Sequence, residues 1–133
     1  MTKDLKIFCV TDKLIKKIEK TNLILAAVGK NNLPDNYIKS SSGINIHFKE
    51  QYYSELTFHY WYWKNMLNKE TIDWVGFCQK RRFWIKTRDN RHKINNENYL
   101  DYLLTSPEKS WNNYSSIICN PIKTSGSKKI KII

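Results

Sequence analysis

Two short apolar runs near the start of the chain limit what it can fold into. Residues 5–10 (LKIFCV) and 23–28 (LILAAV) are rich in aliphatic, β-branched and aromatic side chains, and each run gives way to a polar loop. Such a pattern is typical of a buried strand that ends in a loop. Between the runs, residues 13–20 repeat apolar side chains at helical spacing with lysines on the other face, which predicts a short amphipathic helix. This alternation of strand and helix predicts an α/β fold.

The clearest helix signal begins at Ser54. This residue is suited to the N-cap position, and Glu55 follows in the first turn, where the helix dipole favours an anion. Apolar residues then recur at i, i+4, i+7 and i+11, which predicts that the face carrying them packs on the core. They are Leu56, Tyr60, Trp63 and Leu67.

A second strand signal delivers charge to its own end. Residues 71–77 (TIDWVGF) are again β-branched and aromatic, and they run into residues 79–85 (QKRRFWI). The predicted strand therefore ends in a basic and aromatic cluster, which is where α/β folds keep their sites. Phe83 and Trp84 of this cluster could stack on a base or a sugar ring, or could pack in the core.

Arg81 and Arg82 are the first candidates for ligand binding. Guanidinium groups hold phosphate oxygens with paired, charge-assisted hydrogen bonds and stay charged near neutral pH. Adjacent residues of a strand point to opposite faces, so both can enter one site only if the strand has ended before them. The alternative is that one arginine pairs with a carboxylate such as Glu55 or Asp73 and the other meets the ligand.

The remaining segments carry weaker signals. Residues 32–43 are rich in turn formers and predict a loop, residues 99–104 (YLDYLL) a helix, and residues 116–119 a strand. The closing KIKII, residues 129–133, resembles an element interrupted in its middle. We therefore expect the chain to be a fragment truncated at its C-terminus.

Composition favours one folded domain, residues 1–133. The chain is 41% hydrophobic and 14% aromatic, which argues against disorder. Its formal net charge of +11 favours an anionic partner, although lysines scattered among many Asn and Ile residues also fit a compositional bias. No run approaches the roughly 20 apolar residues of a membrane-spanning helix, and the N-terminus lacks a signal-peptide core. These features predict a cytoplasmic protein.

Cysteine and histidine give little sign of a metal centre. Three cysteines lie far apart inside apolar runs, which predicts reduced, buried thiols at Cys9, Cys78 and Cys119. The three histidines have no metal-ligand spacing. The strand before Arg81 ends in cations instead of the paired carboxylates that hold a divalent ion against a diphosphate. Either the cations neutralise the diphosphate without a metal, or ligands for Mn²⁺ or Mg²⁺ lie beyond residue 133.

Two segments resemble a known family of capsular-polysaccharide-synthesis proteins that contain a domain of unknown function. Residues 54–65 (SELTFHYWYWKN) match its ELT..YW.WKN helix, and residues 73–83 (DWVGFCQKRRF) match its D(Y/W)(I/V)G..HYRRYF strand. Residues 11–13 (TDK) resemble its THK start, and residues 43–46 (GINI) its GDNI loop. Together the matches span residues 5–85.

The resemblance implies a GT-A-like glycosyltransferase, with a Rossmann-type α/β sandwich whose N-terminal half binds a nucleotide sugar. It implies a UDP-linked donor, hexosyl transfer, and a glycan or lipid-linked acceptor of surface polysaccharide, with peripheral membrane contact. By this resemblance, Thr11 and Lys13 are expected to border the nucleotide. Asn45 and Glu55 are expected to lie near the donor, and Arg81 and Arg82 to face the diphosphate or sugar.

The chain departs from the family pattern at several positions. Asp12 replaces a histidine, Ile44 replaces an aspartate, and Gln79-Lys80 replace the His-Tyr before the arginines. Family members continue beyond this length, so the catalytic base is expected outside the chain. Two other functions remain open: a basic nucleic-acid-binding module, which the unclustered lysines disfavour, and an inactive truncated remnant.

Overall fold

The computed structural model describes residues 3–69, 71–86 and 92–121. They form one four-stranded sheet in the order β3-β2-β1-β4, and every pairing in it is parallel. The strands are β1 (Leu5–Thr11), β2 (Ile24–Ala27), β3 (Ile38–Lys39) and β4 (Trp74–Gln79). Along the chain, two α-helices separate β3 from β4: α1 (Glu50–Tyr53) and α2 (Leu56–Asn65). The predicted α/β fold and its three main strands are confirmed.

Both faces of the sheet are covered, which explains why the strand sequences are apolar without alternation. Successive residues of β1 point to opposite faces, so Phe8 and Val10 meet α2, whereas Ile7 and Cys9 meet the other layer. That second layer is made of short or irregular segments, and its buried side chains include Ile18, Leu33, Tyr37 and Leu104.

Helix α2 packs on the sheet through a different face from the predicted one. Phe58, Trp61 and Tyr62 are buried against β1 and β4, while three of the four predicted core residues, Leu56, Trp63 and Leu67, are exposed. The Phe8 ring lies 5.5 Å from the ring of Phe58 and 4.9 Å from that of Tyr62. Because α2 is apolar on two sides, helical spacing alone selects no face, and the aromatic partners on the strands decide which one is buried.

The helix also begins differently from the prediction. Ser54 makes no N-cap; it follows the last residue of α1 with a backbone φ of 47°, and Glu55 stands at the N-cap of α2 without a side-chain capping bond. The Ser54 amide closes α1 by donating to the Glu50 carbonyl at 2.7 Å. Two short helices joined by a sharp turn therefore replace the single predicted start.

Several shorter elements differ from the sequence expectations. The predicted helix over 13–20 is a single 3₁₀ turn, Ile18–Lys20, and that over 99–104 is another, Tyr99–Tyr102. The predicted loop over 32–43 contains β3, and residues 116–119 form no strand. Each of these stretches is too short to fix its own structure, so neighbouring segments decide it.

Two of the three cysteines are buried as predicted. Cys9 and Cys78 lie opposite each other on the neighbouring strands β1 and β4, and both are free thiols. Cys119 is exposed, so the prediction that it is buried was wrong. The surroundings of Cys119 do not form the strand that would have buried it. The closing residues 129–133 lie outside the described part of the chain. No helix in the described residues is long and apolar enough to cross a bilayer.

Candidate functional site at the carboxyl ends of β1 and β4

The strand order creates a crevice between β1 and β4. From β1 the chain moves outward to β2 and β3, and then returns through α1 and α2 to β4 on the other side of β1. In open parallel sheets, ligands bind where the order reverses in this way, at the carboxyl ends of the strands. The residues that follow these two ends are Asp12 and Lys13 after β1, and Lys80, Arg81 and Arg82 after β4.

Asp12 and Lys80 form an ion pair across this crevice. Val10 pairs with Gln79 in the parallel register, so the residues just beyond them lie side by side, and the Lys80 ammonium contacts the Asp12 carboxylate. The two side chains keep 41% and 25% of their surface exposed, Asp12 more than Lys80. The hydrogen bond from Lys80 holds the pKa of Asp12 below its ordinary value, against the opposing effect of partial burial.

Strand β4 ends in a tight turn that presents the arginines. The amide of Gln79 donates to the Arg82 carbonyl at 3.2 Å, and the amide of Arg82 donates back to the Gln79 carbonyl at 3.0 Å, with Lys80 and Arg81 at the corner. The strand has therefore ended before the arginines, so the opposite-face restriction of a strand no longer applies. Both are exposed, and no carboxylate in the described residues pairs with either one.

Glu55 and Glu50 bring two carboxylates to the same edge. Glu55, just before α2, accepts a hydrogen bond from the Gln79 side chain. Glu50, in α1, lies over Gly29, where an added Cβ would stand 3.6 Å from its Oε1 and 3.4 Å from the Asp12 Cβ. The positive φ of Gly29, 82°, gives the chain its turn out of the crevice. Nothing in the sequence around Glu50 distinguishes it from a surface glutamate, so the sequence does not predict its place at this edge.

Thr11 shapes the turn that carries Lys13. Its Oγ1 donates to the Lys13 carbonyl at 2.8 Å and accepts from the Lys13 amide at 3.1 Å. Thr11 is buried, whereas Lys13 is exposed. The side chain of Asn31 holds the same turn through the Asp12 carbonyl, at 2.7 Å. Of the two predicted residues, Lys13 is free to reach a ligand and Thr11 positions it.

Asn45 is separate from this group. Its side chain donates to the carbonyls of Ser41 and Gly43 and accepts from the His47 amide, so it organises its own loop. The loop is attached to Asn65 at the far end of α2, which lies roughly 15 Å along the helix from Glu55. The structure therefore brings together five of the six predicted site residues and leaves Asn45 elsewhere.

The aromatic residues after β4 belong to the core. The Trp84 indole donates to the Phe77 carbonyl at 2.9 Å, and the Phe83 ring lies 5.1 Å from the ring of Tyr99. Both residues pack against the cluster on the face opposite α2. This packing accounts for their place in the sequence without a ligand.

His59 lies one turn after Glu55 on α2. Burial lowers its pKa, which the nearby Glu55 carboxylate partly opposes, and its ring lies 4.2 Å from that of Phe77. The imidazole is therefore favoured in its neutral form.

Among the described residues, the side chains at the crevice form no ligand set for a divalent metal. Asp12 is engaged by Lys80 and Glu55 by Gln79, which leaves Glu50 as the carboxylate without such a partner here. Within the described ranges, no group of three His, Cys, Asp or Glu side chains could hold a metal ion. At this edge, an anion would therefore be bound by cationic side chains.

A separate cavity of about 840 Å³ opens between residues 16–22 and 97–105. Its lining mixes three acids (Glu19, Glu97, Asp101) with four lysines (Lys16, Lys17, Lys20, Lys86). Thr21 and Asn22, which line it, lead into the amino end of β2, so it faces away from the crevice. Its mixed charge and its position make it a weaker candidate than the β1–β4 edge.

Comparison with protein-family models gives a match over most of the chain. Residues 6–127 match the model described as Domain of unknown function (DUF4422). The chain belongs to this family. Neither curated proteins nor solved structures give a significant match.

In this DUF4422 chain, two departures from the motif pattern contact each other. Asp12 stands where the pattern has histidine and Lys80 where it has tyrosine, and these two form the ion pair of the crevice. A third departure, Gln79, donates a hydrogen bond to Glu55, whereas the fourth, Ile44, is bonded to Asn65 away from the crevice. Asp12, Gln79 and Lys80 therefore take part in contacts that link the ends of β1 and β4 with the start of α2.

Proposed function

We propose that this chain is the donor-binding part of a GT-A-like glycosyltransferase, and that it binds a nucleotide sugar at the carboxyl ends of β1 and β4. The observation that carries the proposal is the exposed pair Arg81 and Arg82, presented by a turn at the point where the strand order reverses. Neither guanidinium group pairs with a carboxylate among the described residues, so both could form charge-assisted hydrogen bonds with a diphosphate there.

The side chains divide the work of binding. Arg81 and Arg82 would hold the diphosphate oxygens, and Lys13 would approach from the end of β1. Lys80 is held by Asp12, so its charge is partly neutralised until an anion competes for it. Glu50 and Glu55 would accept hydrogen bonds from ribose or sugar hydroxyls, which carboxylates do well.

The chemistry proposed is displacement at the anomeric carbon of the donor. The bond from that carbon to the diphosphate oxygen breaks, the acceptor hydroxyl oxygen forms the new bond, and its proton passes to a base. The arginines stabilise the negative charge that develops on the leaving diphosphate. By resemblance, we propose a UDP-linked hexose as donor and a surface-polysaccharide glycan or lipid-linked glycan as acceptor. The base is assigned to no residue of this chain.

The test is thermal stabilisation of the full chain by a panel of UDP, GDP, CDP and TDP sugars, with and without Mn²⁺. We expect one nucleotide class to raise the melting temperature, and Arg81→Ala or Arg82→Ala to weaken binding about 10- to 100-fold, the effect of losing a charged hydrogen bond. Lys109→Ala, an exposed cation far along the chain, is the matched control and should bind like the wild type.

Two results would reject the proposal. One is the lack of stabilisation by every nucleotide sugar. The other is binding that the arginine variants leave unchanged, since the diphosphate would then lie elsewhere. If the chain instead binds nucleic acid with an affinity that falls steeply with salt, the basic-module alternative replaces it.

A further inference from the structure

Helix α2 carries a second apolar face that points away from the sheet. Leu56, Tyr60 and Trp63 lie about half a turn around the helix axis from the buried Phe58, and Leu67 continues the line just beyond the helix end. Leu56 is 52% exposed, Trp63 55% and Leu67 46%, and Tyr60 is half-buried. We call these four residues the outward stripe. Single exposed apolar residues are ordinary, but an aligned set with two large aromatic rings indicates a contact surface.

The segment before α2 carries further exposed apolar side chains. Phe48 and Tyr52 are 75% and 76% exposed, and Tyr53 and Ile44 are also exposed. Large aromatic side chains turned to water on three successive pieces of chain are unusual in a soluble domain. This concentration makes the region a candidate contact surface.

Two lysines accompany the outward stripe. Residues 56–69 contain Lys64 and Lys69 and no Asp or Glu, and the flanking acids in the sequence are Glu55 and Glu70. The Glu55 carboxylate is bonded to Gln79 at the crevice. The Lys64 ammonium lies 3.7 Å from the centre of the Trp63 ring, and 5.8 Å from that of Tyr60. Cation and aromatic rings thus form one surface cluster. Its partner should offer apolar contact and negative charge together.

Two other occupants fit less well. A second copy of the chain would bring the lysines of one stripe against those of the other, on molecules of net charge +11 each. A sugar ring stacked on Trp63 would have to displace the ammonium that already covers that ring face. An anionic bilayer surface satisfies both the lysines and the rings, because Trp and Tyr favour the headgroup level and Lys pairs with lipid phosphate.

We propose that the outward stripe of α2 binds the surface of an anionic lipid bilayer. The ten-residue helix lies flat on the membrane, with Leu56, Trp63 and Leu67 at the level of the acyl boundary and with Lys64 and Lys69 among the headgroups. The opposite side of α2 stays packed on the sheet. The inference does not depend on the nucleotide-sugar proposal, because the stripe and the β1–β4 crevice share no residue.

The first test is cosedimentation of the full chain with vesicles made of equal parts phosphatidylglycerol and phosphatidylcholine, and with vesicles of phosphatidylcholine alone. We expect binding to the anionic vesicles and much less to the neutral ones. The double variant Trp63→Ala/Leu67→Ser should weaken binding about tenfold or more. The matched control, Tyr114→Ala/Ile118→Ser, removes exposed apolar surface elsewhere and should bind normally.

A charge series gives an independent readout. Lys64→Gln/Lys69→Gln should weaken anionic-vesicle binding about fivefold for each lysine, whereas Lys93→Gln/Lys109→Gln, with the same loss of net charge, should have a smaller effect. All replaced residues are exposed, so melting curves should show the native fold in each variant.

Three outcomes would overturn the inference. The first is no binding to anionic vesicles, which would leave an acidic protein surface as the partner. The second is vesicle binding that both stripe variants leave intact, which would show nonspecific attraction by net charge. The third is a dimer, seen by sedimentation velocity and lost in Trp63→Ala/Leu67→Ser, without vesicle binding. Nucleotide stabilisation measured on the same variants tests the other proposal separately.

Discussion

At the scale of single residues, the pair Asp12–Lys80 sets the charge of the crevice. The Lys80 ammonium neutralises Asp12, and it also belongs to the group of cationic side chains that follows β4. Asp12 remains partly exposed, so water screens the pair and its net effect on stability is small. Its effect on the local potential is larger, since it decides how much positive charge an incoming anion meets.

The titration of Asp12 provides the residue-scale prediction. Lys80 lowers the pKa of Asp12 chiefly through their hydrogen bond. A lowered carboxyl pKa contributes stability at pH values above the unfolded pKa of about 3.9, and that contribution is lost as the pH falls through the folded value. In Lys80→Gln we expect the Asp12 pKa, measured by carboxyl NMR, to rise towards about 3.9.

Lys13→Gln is the control for this measurement. Lys13 acts on Asp12 only through charge and contributes the smallest lowering, so its replacement should raise the pKa of Asp12 less than Lys80→Gln does. Equal effects of the two variants would mean that general positive charge, and not the ion pair, sets the value.

At the scale of elements, α2 is fixed in rotation by contacts with the loop before it. The Trp61 indole donates to the Ser42 carbonyl at 2.7 Å, and the Asn65 amide group bonds both the amide and the carbonyl of Ile44, at 3.1 and 2.8 Å. These bonds and the aromatic contacts of Phe58 select the buried face of the helix. They also account for the conformation of the loop over residues 41–46.

Asn65→Ala should release that loop. The substitution removes the two bonds to Ile44 and a third to the Trp61 carbonyl at 2.7 Å, and we expect a loss of about 2 kcal/mol in the free energy of unfolding. Hydrogen exchange of the Ile44 amide should accelerate more than that of amides in β1. Asn68→Ala, an exposed asparagine just beyond the helix, is the control and should be nearly neutral. Unchanged exchange at Ile44 would contradict the role given to Asn65.

At the scale of the whole molecule, one thin sheet separates two cores. Phe58 belongs to the cluster beneath α2 and Ile18 to the cluster on the other face, and both are fully buried. Successive side chains of β1 pack alternately into one cluster and the other, so both clusters depend on the position of this strand. The two layers should therefore unfold as one unit.

Mutations on the two faces should act additively within a single transition. We expect Ile18→Val to lower the free energy of unfolding by about 1 kcal/mol, and Phe58→Leu to lower it by about 1–2 kcal/mol as a hydrophobic shape change. Since the two residues belong to separate clusters on opposite faces of the sheet, the double variant should equal the sum within about 0.5 kcal/mol. Urea unfolding followed by fluorescence and by far-UV dichroism measures this. Two separate transitions would show that the layers are independent.

The sequence by itself determined the parts of the fold that depend on local composition. The apolar runs located β1, β2 and β4 because a strand enclosed by protein needs apolar residues throughout. The sequence also predicted the cationic segment after β4, because the run of β-branched and aromatic residues stops before Gln79, the last residue of the strand.

Only the tertiary structure decided which side of α2 is buried and which charges meet. Two apolar stripes on one helix are equivalent until the rings of Phe8 and Phe77 are placed beneath it. Asp12 and Lys80 are 68 residues apart and become partners through the register of Val10 with Gln79. The orientation of a helix and the pairing of distant strands depend on contacts between segments, and a local pattern carries no record of those contacts.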